Sequence, residues 1–276
     1  MTSLVERVSR LSPICIRLRA AVCQSPPRMI RGDERLDNGF LRRAELSRPD
    51  VSIEEARALF LAHYGLTGSI VELGSQQDRN YRIETSEGSF VLKICRADYA
   101  TTELEAQNAA LRHISGKVGT PRVPKLIAAA NGQSIVFAAV RGQDYQIRLL
   151  DYIDGEPLTR RKHLSPQTVA ALGAIGGRLA LALSDFTHPG LHRAIQWDLR
   201  NAGPVVDHLL SAVKDERRKE RIEQAVKVAI RRVEPLKTAL RLQAIHHDVT
   251  DDNVVSRMDG SGRLIPDGVI DFGDIL

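Results

Sequence analysis

The spacing of apolar and polar positions changes along the chain, and each change marks an element. From Ser52 onward, Ile53, Ala56, Leu59, Phe60 and Tyr64 recur at helical spacing. Ser52 followed by Glu55 is a capping-box signature and Gly65 supplies a stop, so a helix is expected from 53 to about residue 64. The period then shortens to two. Residues 70–73, 81–85 and 90–94 read as strands, the first two joined through the polar loop 74–80 and the last pair through a Glu87-Gly88 turn. Helical spacing returns over 101–114, Pro121 and Pro124 break it, and two further strands are expected at 134–140 and 144–150. Residues 151–155 leave the sheet as a hinge. Beyond Ser165-Pro166, a cap followed by proline at the first helical position, the pattern stays helical: 169–183, 203–212 and the charged stretch 216–240, bent at Pro235.

Chemistry concentrates near the end of the sequence. His246-x-Asp248-x-x-x-x-Asn253 has the spacing of the catalytic loop in protein-kinase-like phosphotransferases. An Asp259-Gly260-Ser261-Gly262 turn and an apolar run, Gly268-Val269-Ile270, then lead into Asp271-Phe272-Gly273. In such a site Asp248 meets the acceptor hydroxyl, while Asn253 and Asp271 supply the oxygen ligands that Mg²⁺ prefers. Phosphoryl transfer asks the protein mainly for in-line positioning and charge neutralisation, which this set provides. A solvated Asp-rich turn at Asp248, Asp251 and Asp252 would explain the first motif alone; the strand and Asp-Phe-Gly behind it favour the site. Lys93, inside the third strand, would by periodicity alone face solvent. The C-terminal motifs recast it as a clamp on the nucleotide phosphates, covered by loop 74–80, where Ser75 and Asn80 are the candidate contacts. That loop lacks G-x-G-x-x-G and is weak evidence by itself. Of Glu103 and Glu105 on the following helix, Glu105 is expected to pair with Lys93, because Leu104 and Leu111 lie beside it; Glu103 reads equally well as a solvated charge. His188 and His192 have metal-pair spacing, but Pro189-Gly190 between them forbids a helix, so no metal site is expected there.

Composition narrows the class. The 276 residues are 43% apolar and 26% charged, ordinary for a soluble globular protein with a real core. Cys15, Cys23 and Cys95 are scattered, which argues against disulfides or zinc and fits a reducing, cytoplasmic setting. No apolar run approaches the roughly 18 residues of a membrane span, so no membrane partner is expected. The net charge of +5 would suggest nucleic acid if it lay near the motifs. Residues 1–50 instead carry ten Arg against six acids, without interleaved aromatics, so nucleic acid is not an expected partner. The first 47 residues read as a mobile basic extension, equally consistent with a targeting peptide, a tail or an upstream start codon.

With these residues assembled, the chain resembles the aminoglycoside phosphotransferase and choline-kinase-like superfamily, most of all its hydroxylysine-kinase branch. The resemblance rests on LGSQQDRNYRI at 73–83, FVLKI at 90–94, LEAQNAAL at 104–111, FTHPGLHRAIQWDLRNA at 186–202, IHHDVTDDNVV at 245–255 and GVIDFGD at 268–274. It implies an α+β, two-lobed, protein-kinase-like fold: a small antiparallel-sheet N-lobe with hinge over 48–154 and a mostly helical, incomplete C-lobe over 155–276. It further implies ATP or GTP with Mg²⁺, and transfer of the γ-phosphoryl to a hydroxyl of an amine or amino-alcohol substrate. By position, Asp248 becomes the base or hydroxyl-orienting group, His246 the brace of the catalytic loop, Asn253 and Asp271 the metal ligands, Lys93 the clamp and Glu105 its partner. His247 stands where the family usually has glycine. Relatives continue beyond Gly273, and some similar domains precede a class III aminotransferase module, so a longer parent chain is expected. The alternative to a working kinase is a degenerate nucleotide-binding module regulating such an enzyme.

Overall fold

A computed structural model describes residues 47–96 and 98–276; apart from Ser47, the basic extension expected over 1–47 lies outside the described residues. The chain divides into two compact units, one of Arg48–Arg193 with Thr238–Leu276, the other holding Ala194–Lys237 and Ser47. The first unit runs without a break through the expected lobe boundary at 154/155.

That unit opens with α1 (Ile53–Tyr64). Ser52 Oγ accepts the Glu55 N–H at 3.2 Å and Glu55 Oε2 accepts the Ser52 N–H at 2.8 Å, so two donors that the helix cannot satisfy internally are capped reciprocally. Gly65 ends the helix at φ 69°. Then come β1 (Ser69–Leu73), β2 (Arg79–Thr85) and β3 (Gly88–Cys95), followed by α2 (Thr101–Ser115). β4 (Leu126–Ile127), β5 (Val136–Val140) and β6 (Gln143–Asp151) complete a six-stranded antiparallel sheet ordered β1-β2-β3-β6-β4, with β5 also on β6. Neither β4 nor the equally short β7 (Glu156–Pro157) was legible, because two residues carry no periodicity.

The register sets the site. Asn80 on β2 pairs with Lys93 on β3, and Lys93 pairs with Arg148 on β6, so three polar side chains share one row of the sheet. One core cluster, including Phe60, Tyr81, Leu92, Ile147 and Leu149, seats α1 on this sheet. A second joins Ala110, Leu111 and Ile114 of α2 to Ile175 and Leu179 of α3 (Pro166–Ala182), to Val254 and Val269, and to Phe272. Val254 and Val269 belong to β8 (Val254–Met258) and β9 (Leu264–Val269), which with β7 form a three-stranded antiparallel sheet. The hinge enters β7 through Gly155 at φ 142°, where a Cβ would lie 2.5 Å from Val255 Cγ1 and 2.7 Å from Ser256 O; only glycine fits.

The second unit carries α4 (Ala202–Leu209) and α5 (Glu216–Val233). The expected bend at Pro235 is instead the end of the helix. A 3₁₀ turn, Glu234–Leu236, takes over, since proline cannot donate to the helical ladder. Among the described residues, no helix is long and apolar enough to cross a membrane.

Candidate active site

The catalytic-loop motif hangs from a short backbone pairing: Ile245 N–H donates to Leu276 O at 2.9 Å, and Leu276 N–H returns to Ile245 O at 3.2 Å. His246 follows, 2% exposed, with its ring edge-on to Phe272 at 4.6 Å between centroids. Its Nδ1 faces the Asp248 N–H at 3.3 Å and must accept, so Nε2 carries the proton that it donates to Ile270 O at 3.0 Å. Burial lowers the pKa of this imidazole and keeps it neutral, against the pull of the Ile270 carbonyl. His246 thus ties the catalytic loop to the residue before Asp271.

Asn253 Nδ2 donates to both the Asp248 carbonyl at 3.0 Å and Asp248 Oδ2 at 2.9 Å. Both partners are oxygens, which fixes the amide orientation and turns Asn253 Oδ1 away from Asp248. The Ile270 N–H donates to Asn253 O at 2.9 Å, a further link between the two motifs. Asp271 takes φ 59° and accepts the Gly273 N–H at 3.3 Å. Its pKa is lowered, chiefly by the Lys93 ammonium and against burial, while 46% of its side chain remains open.

Lys93 is 7% exposed, and its Nζ lies 3.3 Å from Asp271 Oδ1 and 3.7 Å from Asp78 Oδ2. Burial works against its charge, but Asp271 and Asp78 outweigh that effect and raise its pKa. The expected partner, Glu105, is exposed on α2 and is not one of these two carboxylates. The buried positions of α2 are Leu104, Ala106, Gln107, Asn108, Ala110, Leu111 and Ile114, so Glu105 faces outward. Glu103 is not simply solvated either, since it accepts from Arg193 Nη1 at 3.0 Å. Arg193 Nη2 also donates to Gly273 O and to Ile275 O at 2.9 Å, tying the backbone after Asp-Phe-Gly to the start of α2. Asp274 sits near this bond set; burial raises its pKa first, and the Asp248 and Asp271 carboxylates add to the rise.

Of the phosphate-loop candidates, Asn80 pairs with Lys93 across the sheet. Ser75 Oγ accepts the Asp78 N–H at 3.1 Å and shapes the loop from within. Asn80 is 8% exposed, and its Oδ1 has no hydrogen-bond partner among the described residues. Asp78, Arg193 and Arg148 were missed by sequence reasoning because each acts through a partner distant in the chain. His188 Nδ1 accepts the Gly190 N–H at 3.1 Å, a turn-capping role.

Among the described residues, no group of three or more His, Cys, Asp or Glu side chains is arranged to hold a metal ion. A transition-metal cage is therefore a poor fit. An open carboxylate, Asp271, and an amide oxygen, Asn253 Oδ1, are the donors that would hold a metal here. That suits Mg²⁺, which takes few protein oxygens and completes its shell with phosphates and water.

The phosphotransferase enzyme family model matches residues 69–276. Hydroxylysine kinase of Mus musculus is 25% identical over 251 residues, covering 83% of this chain, which spans 66% of that relative's length. A microcompartment-associated aminopropanol kinase structure superposes with a TM-score of 0.62 at 20% identity, covering 82% of this chain and 70% of its own. An amicoumacin kinase in complex with AMP-PNP, Ca²⁺ and Ami gives 0.55 at 17% identity, covering 87% and 67%. The likeness of these structures extends to the mixed α+β, kinase-like fold with its antiparallel sheet and helical part. With three-quarters of its length under the family model, including both motifs and the lysine strand, this chain belongs to the phosphotransferase enzyme family.

Proposed function

We propose that the chain is the core of a small-molecule kinase that moves the γ-phosphoryl of a nucleoside triphosphate to a hydroxyl of an amino alcohol or similar amine. The observation that carries this reading is the meeting of Lys93 with Asp271, 178 residues apart in sequence, next to the Asp248–Asn253 pair. A strand lysine for phosphates, two oxygen donors for a hard cation and a carboxylate for the acceptor hydroxyl make up the parts list of phosphoryl transfer.

In this reading Lys93 bonds the nucleotide phosphates, and Asn253 Oδ1 with Asp271 would hold Mg²⁺, which when bound supplies charge neutralisation at the phosphates. Asp248 orients the acceptor hydroxyl and takes its proton. Asn253 Nδ2 keeps the Asp248 carboxylate aimed, and His246 holds the loop in register with Asp271. The names of hydroxylysine kinase and aminopropanol kinase support an amine-bearing alcohol as acceptor, and the AMP-PNP and Ca²⁺ of the amicoumacin kinase support a nucleotide with a divalent cation.

The test is transfer from Mg·ATP or Mg·GTP to hydroxylysine, ethanolamine, aminopropanol and an aminoglycoside, followed by mass spectrometry of the acceptor. One of these acceptors is expected to gain phosphate. Asp248→Ala is expected to lower transfer by about a hundredfold or more while Mg·nucleotide binding stays intact. Transfer at the parent rate in Asp248→Ala would sink the assignment. Nucleotide binding with no phosphorylated acceptor would leave a binding module instead.

A further inference from the structure

The buried lysine has a carboxylate partner that no motif announces. Asp78 is 9% exposed, and its Oδ2 lies 3.7 Å from Lys93 Nζ. Around the pair lie Asp271 and the buried guanidinium groups of Arg148 and Arg96. Arg148, 2% exposed and Lys93's cross-strand neighbour, donates to Asn108 Oδ1 at 2.9 Å and Gln107 Oε1 at 2.6 Å, both neutral amides of α2. Three buried cations, Lys93, Arg148 and Arg96, therefore lie near Asp78, and Lys93 has Asp271 as well. Burying charge without compensation is costly, so neither anion is spare.

The two anions have different duties. Asp271 is open over nearly half its side chain and, among the described residues, accepts the Gly273 N–H and Lys93 Nζ, so a metal ion can take it. Asp78 is enclosed and braced. Its N–H is held by Ser75 Oγ and its carbonyl by Arg48 Nε at 2.9 Å; next to it, the Gln77 carbonyl accepts from Arg96 Nε at 3.0 Å and the Gln77 side chain from the Tyr99 hydroxyl. Asp78 Oδ2 faces Lys93 and accepts from the Cys95 thiol at 3.9 Å, while Oδ1 has no hydrogen-bond partner among the described residues despite its burial. Exposed Glu105 offers no such contact.

We propose that Asp78 is the positioning residue for Lys93, holding the ammonium in place for the phosphates once a metal ion draws Asp271 away. It would thereby tie the loop before β2 to the lysine. The proposal rests on the phosphotransferase reading above. Without the Asp78 charge, Lys93 keeps one carboxylate partner, Asp271, and competes with the metal for it.

The experiment is a thermal-shift titration of Mg²⁺ at fixed ATP or GTP on the parent protein, Asp78→Asn, Asp78→Glu and Glu105→Gln. Asp78→Asn is expected to need about tenfold more Mg²⁺ for the half-maximal shift, in line with losses from second-layer partners of metal sites. Asp78→Glu, which keeps the charge, should recover much of that loss, and Glu105→Gln should match the parent. In a Lys93→Met background, Asp78→Asn should not change the Mg²⁺ requirement further, because the competitor is gone. A folded Asp78→Asn with the parent's Mg²⁺ midpoint would overturn the proposal. So would a tenfold change in Glu105→Gln, which decides the matter even where Asp78→Asn fails to fold. A parent protein with no Mg·nucleotide shift would overturn the underlying reading, and the proposal with it.

Discussion

His247 takes φ 70°, in the left-handed region, between the buried His246 and Asp248. That conformation explains why glycine is the usual residue here in the family this chain resembles. Glycine enters it freely, whereas a Cβ costs about 1–2 kcal/mol. Histidine is among the side chains that tolerate it best. His247→Gly is therefore expected to keep or raise the unfolding midpoint in urea, and His247→Val to lower stability by about 1–2 kcal/mol. Equal midpoints for the glycine and valine variants would contradict the strain assignment. At this scale the motif residues were legible because their chemistry demands both a residue type and a spacing. Partnerships were not. Glu105 was assigned to Lys93 from apolar neighbours in sequence, but adjacent residues on a helix point about 100° apart, and Leu104 turns inward where Glu105 turns out. Asp78 carries no sequence signal beyond its place in a polar loop.

At the scale of elements, the FTHPGLHR stretch gains a physical reason. Pro189–Leu191 forms a 3₁₀ turn whose Gly190 presses on the first turn of α2; a Cβ there would lie 1.9 Å from the Thr102 carbonyl oxygen. Backbone oxygen cannot move aside cheaply. Gly190→Ala should destabilise the protein by about 2 kcal/mol or more, read as a lower urea midpoint with an unchanged slope. A midpoint at the parent value would show that the contact is not a close one. Three residues on, Arg193 binds Glu103 and the carbonyls after Asp-Phe-Gly, so the turn positions a residue that supports the site. The long elements were legible from period and caps: Ser52 with Glu55 marked α1, Ser165-Pro166 marked α3, and alternation marked β2, β3 and β6. Two-residue strands and the stop at Pro235 were not, because their extent depends on pairing and on lost donors instead of hydrophobic period.

Across the whole molecule, the site draws its residues from one unit, Arg48–Arg193 with Thr238–Leu276. There Arg122, in the segment between α2 and β4, is pinned to the sheet leading to Asp271: its guanidinium reaches Asp267 Oδ1 at 2.7 Å and its backbone pairs with Asp267 O and Val269 N. The other unit is built differently, since neither α4 nor α5 contains a buried residue. Local stability follows buried apolar contact, so amides of 202–233 should exchange hydrogen faster than those of β3 and β6. Protection in α5 equal to that in β3 would contradict this division. Binding at the site should stabilise the first unit by mass action, because a ligand that selects the folded state raises its melting point. The most direct measurement is therefore the thermal shift of the parent protein and Asp271→Ala with Mg·ATP and Mg·GTP. The account predicts that saturating nucleotide raises the parent midpoint by about 5 °C in a magnesium-dependent way, and that this increment disappears in Asp271→Ala. A cooperative transition that no nucleotide moves, or a shift that survives in Asp271→Ala, would contradict it.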